Sequence, residues 1–142
     1  MVKKQKYTLS IEEDFDFGLI GICCHQSDYR LCWSMNEALG LQLAKAQEPY
    51  IVSGKKGGVA SSHSCYEWYD EENLIHYYLL KNKDGIQYIL PEKAQIDYLL
   101  VIKGAEMEEV DNLLTQLKSI SSILTAFSYD PYELKSRKHL IF

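Results

Sequence analysis

Residues 96–129 read IDYLLVIKGAEMEEVDNLLTQLKSISSILTAFSY, and this stretch decides the fold. Ile96 to Lys103 is the most apolar run in the chain and predicts a strand at the centre of a sheet. Glu106 to Lys118 predicts a helix, with Met107, Val110, Leu114 and Leu117 forming its buried stripe. Glu106, Glu108 and Glu109 fall in its first turn and Lys118 in its last, which suits the helix dipole. Ile123, Thr125, Phe127 and Tyr129 then alternate as a second strand, and Asp130-Pro131 ends it. The order is strand, helix, strand. If both strands run parallel in one sheet, the crossover between them is right-handed.

Upstream the pattern is one of hairpins. Cys65 to Tyr69 and Leu74 to Lys81 alternate as strands, Asn82-Lys83-Asp84-Gly85 reads as a turn, and Ile86, Tyr88 and Leu90 alternate after it. Pro91 stops that strand, because proline has no N–H for the ladder. A first helix is expected at 28–39, with Asp28 as N-cap and Gly40 as C-cap. Its buried face would hold Leu31, Met35, Ala38 and Leu39, with Cys32 at the edge. Phe15 to Cys24 is apolar but carries Gly18 and Gly21, so it fits either a bulged strand or a helical turn. Lys6 to Ile11 alternates as a first strand, Leu41 to Ala44 alternates weakly, and residues 53–62 read as a loop. The whole predicts one α+β domain over 1–142: a mostly antiparallel, mixed sheet of about five to seven strands with two main helices packed on it.

Bulk numbers exclude several classes. The chain has 142 residues, 46% hydrophobic and 25% charged, which is ordinary for a globular domain and unlike a disordered chain or a disulfide scaffold. Its net charge of −5 is spread evenly, and a basic cluster such as Lys135, Arg137 and Lys138 holds only three residues. Nucleic-acid binding, which draws its affinity from clustered positive charge, is therefore not expected. No run of 18 apolar residues suggests a membrane span, and no apolar segment follows Lys3, Lys4 and Lys6 to make a signal peptide. The expected compartment is the cytoplasm, where the four cysteines would be reduced.

The nonapeptide Leu90-Pro91-Glu92-Lys93-Ala94-Gln95-Ile96-Asp97-Tyr98 resembles the signature of the IPExxxVDY family of small bacterial proteins. Leu90 stands for the isoleucine and Ile96 for the valine of that pattern. Pro91, Glu92, Asp97 and Tyr98 match it. The resemblance covers nine residues and implies a bacterial origin and a shared fold. The family has no assigned activity, so it carries no catalytic residue across. Read physically, Asp97 shares a strand face with Leu99 and Val101, where a charge needs a partner. The expectation is that it pairs with Arg30 or caps a nearby backbone turn. Glu92, Asp97, Tyr98 and Arg30 form the candidate polar site.

Other chemistry is thinner. Cys24, His25, Cys32, His63 and Cys65 include metal-ligand types, but they lack the C-x₂-C or H-x₃-H spacing of structural zinc sites. Neither a metal nor a cofactor is expected. Cys24 beside His25 is a poor nucleophile–base geometry. Gly54-Lys55-Lys56-Gly57-Gly58 lacks the pattern of a phosphate loop. The acid pairs Glu12/Glu13 and Asp14/Asp16 read as a solvated edge. The aromatics say more. Tyr29 and Trp33 lie one turn apart, opposite the apolar stripe of the first helix, and Tyr66 and Trp68 lie in the hairpin region. Aromatics with polar tips are enriched at interfaces, so these four form the candidate interface. The expected function is a non-catalytic protein-interaction domain, acting as a homodimer or with a protein partner. The alternative is a small-molecule or metal-dependent enzyme with a site near Glu92, Asp97 and the first helix.

Overall fold

A computed structural model describes residues 14–54 and 57–142. The strand expected at Lys6 to Ile11, the pair Glu12/Glu13, and Lys55 and Lys56 lie outside the described residues. The elements, in order, are β1 (Gly18–Cys24), α1 (Asp28–Leu39), β2 (Ala44–Lys45), β3 (Tyr50–Ser53), β4 (Val59–His63), β5 (Cys65–Asp70), β6 (Ile75–Lys81), β7 (Lys83–Asp84), β8 (Gln87–Tyr88), β9 (Tyr98–Lys103), α2 (Met107–Lys118) and β10 (Ile123–Tyr129). Three short 3₁₀ turns fall at Pro91–Lys93, Pro131–Glu133 and Arg137–His139.

Six strands form the main sheet in the order β10-β1-β9-β6-β5-β2, every neighbouring pair antiparallel. The α+β architecture is as expected, and β9 is central. Because β9 and β10 are each antiparallel to β1, they run parallel to one another with β1 between them. The crossover of α2 is thus a split one. Two-stranded hairpins, β3–β4 and β7–β8, stand beside the sheet.

Alternation along the strands sends side chains to two cores. Tyr98, Leu100 and Ile102 of β9, Ile20 and Ile22 of β1, and Ile75, Tyr77 and Leu79 of β6 pack under the two helices. Leu99, Val101, Leu19 and Leu80 point the other way, into a second core closed by Val52, Ile89, Leu90, Ile96, Leu134 and Leu140. A layer of helices therefore covers one face. Hairpins, turns and the segment 131–142 cover the other.

Several local expectations change. Phe15 to Cys24 resolves as the strand β1, buried on both faces. Its glycines are needed for closeness: a Cβ on Gly18 would meet Val110 Cγ2 at 2.7 Å, and one on Gly21 would meet Tyr129 Cε2 at 2.7 Å. Helix α1 is capped by Ser27, one residue before Asp28, and ends at Gly40 with φ +69°. Ala38 and Met107 are exposed, since each sits beyond the edge of its helix's apolar stripe. The expected loop at 53–62 contains β4. Its buried side chains are Ser61 and His63, so hydropathy alone does not reveal the alternation. The turn expected at 82–85 lies at Gly85-Ile86, with Gly85 at φ +60°. Leu90 is buried in a connection, not a strand.

Candidate functional site

Asp97 sits just before β9 at the end of the 82–97 connection. Its Oδ2 accepts the Cys24 N–H at 2.9 Å, and its own N–H donates to Ile22 O at 3.0 Å. It caps the backbone at the end of β1, one of the two expected arrangements. The other does not form: Arg30 is exposed and makes no ion pair with it. Tyr98 is buried, and its hydroxyl donates to Gln26 O at 2.6 Å. Burial, with Asp28 nearby, pushes that phenol well above its usual range and keeps it a donor. Asp97 and Tyr98 together fasten the link between β1 and α1.

Glu92 does something different. Pro91 opens a 3₁₀ turn, and Glu92 Oε2 accepts the Ser136 N–H at 2.8 Å. Burial raises the carboxyl's pKa, but the backbone amide of Ser136 and further hydrogen bonds outweigh it, and the net shift is downward. Glu92 lines a depression with Lys93, Tyr129, Asp130 and Lys135, away from Asp97. The four residues expected in one polar site are thus divided among three places, and no paired-carboxylate site forms.

Arg30 lies with the aromatics of α1. Tyr29, Arg30, Trp33, Gln26 and Ser122 line a groove of about 400 Å³ between α1 and the α2–β10 turn. Tyr29 is 69% exposed and Trp33 61%. The Arg30 side chain makes no hydrogen bond or ion pair among the described residues. The Ser122 hydroxyl is buried with no partner among the described residues. The other two interface candidates fall elsewhere. Tyr66 is 6% exposed, inside the helix-side core, and Trp68 stacks on Tyr77 at 5.5 Å. Their strand faces the helices, so neither extends the α1 surface.

A second cavity, of about 530 Å³, adjoins this groove through Gln26. Asp97, His25, Lys81, Lys83, Tyr88 and Tyr98 line it. Among the described residues no three His, Cys, Asp or Glu side chains converge as a metal site. Cys24, Cys32 and Cys65 are buried, and burial, with Glu67 nearby, lifts the Cys65 thiol to about 11. That chemistry is wrong for a nucleophile.

Two structural polar centres were invisible in the sequence. Asn82 is fully buried: its amide donates to Lys93 O (3.1 Å) and Ile96 O (2.9 Å), and its Oδ1 accepts from Leu90 N (2.9 Å). His63 Nδ1 meets Lys81 O at 2.8 Å, which fixes the proton there, so Nε2 accepts from Ser61 Oγ at 2.7 Å. Burial lowers the pKa of that imidazole, which stays neutral.

Comparison with protein-family models, with curated proteins and with solved structures finds no match. Among the described residues no helix is long and apolar enough to cross a membrane.

Proposed function

We propose that the protein is a non-catalytic interaction domain that holds an acidic peptide segment of a partner in the α1 groove. The carrying observation is the exposed pair Tyr29 and Trp33 flanking Arg30, whose side chain has no partner among the described residues. A tryptophan and a tyrosine left open around one cation form the composition of an interface centre. On the same footing we place the chain in the IPExxxVDY family, because Pro91, Glu92, Asp97 and Tyr98 each secure a connection of this fold. The cytoplasm suits its four free cysteines.

The test is panning of a random peptide-display library on the whole protein. The expected result is an acidic consensus whose binding falls roughly thirtyfold on Trp33→Ala and on Arg30→Glu, the size of a hot-spot loss. No consensus, or one indifferent to both changes, overturns the reading. A small-molecule enzyme is the second reading, favoured by the cavity that gathers Asp97, His25, Lys81 and Lys83. Native mass spectrometry of gently purified protein checks it. A bound mass released on denaturation supports it, and a bare 16.4 kDa subunit argues against it.

A further inference from the structure

The main sheet has two unlike edges. At one lies β2, two residues long and ending in the exposed Lys45. Short edge strands and edge lysines both prevent further pairing. At the other lies β10, seven residues long, with no strand on its outer side among the described residues. From Ser119 to Tyr129 the chain holds neither a charged residue nor a proline. Leu124 is 62% exposed and Phe127 44%. The flanking charges are opposite and both exposed: Lys118 closes α2, and Asp130 follows β10.

These features fit a second copy of this chain. An antiparallel strand pair across a twofold axis satisfies the open donors and acceptors of both edges at once. It brings the Asp130 end of one β10 toward the α2 terminus of the other copy, where Lys118 sits. No like charges face each other along the shared strands. We propose that two copies pair β10 to β10 and join their sheets into one continuous sheet. This surface is separate from the α1 groove and does not depend on it.

The full-length chain tests this by native mass spectrometry and by hydrogen exchange over a dilution series. The expected species is a dimer of the 16.4 kDa chain, in which the β10 amides that do not bond β1 lose protection on dilution. Leu124→Lys with Phe127→Lys changes two exposed positions. It should weaken the dimer by about tenfold or more and leave the circular dichroism spectrum unchanged. Three results overturn the proposal: a monomer at every concentration, a dimer unaffected by the two lysines, or protection in the monomer of those β10 amides that do not bond β1. The last would mean that another part of the same chain covers this edge. The dilution series needs no variant, so the proposal stays open to refutation even if the double substitution unfolds.

Discussion

The two faces of the sheet are closed by different means. On the helix side, Leu31, Met35, Val110 and Leu117 lie on two regular helices and meet alternate residues of β1, β9 and β6. Periodic burial supplies the contacts there. On the opposite side, 3₁₀ turns, short hairpins and the segment 131–142 do the covering. Their backbone cannot satisfy itself in ladders, so polar side chains do it instead. Asn82 ties residues 89–97, and His63 ties β4 to the end of β6. Glu92 ties the Pro91 turn to Ser136, and the Tyr50 hydroxyl bonds His139 O and accepts from Ile141 N. Phe142 packs against Phe17, Tyr50 and Tyr78 to complete that layer. A layer without regular elements is held by a few hydrogen bonds that must all be made.

The contrast is sharpest at two substitutions. Asn82→Ala leaves the buried Leu90 N–H and Ile96 O without the partner that Asn82 supplies, and should cost roughly 4 kcal/mol. Leu100→Ala cuts a cavity under the helices and should cost about 3 kcal/mol. Urea denaturation measures both. If Asn82→Ala cost less than about 1 kcal/mol, the second layer would be held by burial, as the first is.

Acid should strike the irregular face first. The folded-state pKa of His63 is lowered, so the unfolded chain binds its proton more readily. The stability this gives is full above the unfolded value of about 6.5 and is lost progressively as pH falls below it. His63→Gln should flatten the denaturation midpoint between pH 7 and 5; an unchanged slope would move the effect to another group. Glu92 acts lower on the scale. Its pKa is also depressed, so its contribution is present above about 4.5 and fades as pH falls through the folded value. Glu92→Gln should cost about 1 kcal/mol at pH 7 and nothing once the wild-type carboxyl is protonated. A difference that persists in acid would show that the side chain acts by packing.

The same contrast marks what could be read in advance. The strand–helix–strand unit, α1 with Gly40, and the antiparallel meander follow from 3.6- and 2-residue periods, which are local. The β3–β4 hairpin is not legible in the sequence because Ser61 and His63 form a buried pair that hydropathy scores as polar. The role of Asn82 is hidden in the sequence because its partners, Leu90, Lys93 and Ile96, are scattered along a connection. The aromatic face of α1 was legible, since Tyr29 and Trp33 lie opposite Leu31 and Met35 on any helix. That Tyr66 lies in the core and not at a surface is not legible in advance, because alternation tells that a strand has two faces but not which of them meets the helices. Asp97 showed its need of a partner, and that partner is a backbone amide with no signature of its own.

The position of β1 sets the order in which the molecule can assemble. Both neighbours of this early strand come from the last third of the chain, and Cys24 meets Asp97 across 73 residues. During synthesis Leu19, Ile20 and Ile22 emerge long before anything exists to pair with them. Such distant contacts slow folding toward the millisecond-to-second range and leave apolar chain open to aggregation meanwhile. The nascent protein is thus expected to lean on a chaperone until β9 arrives.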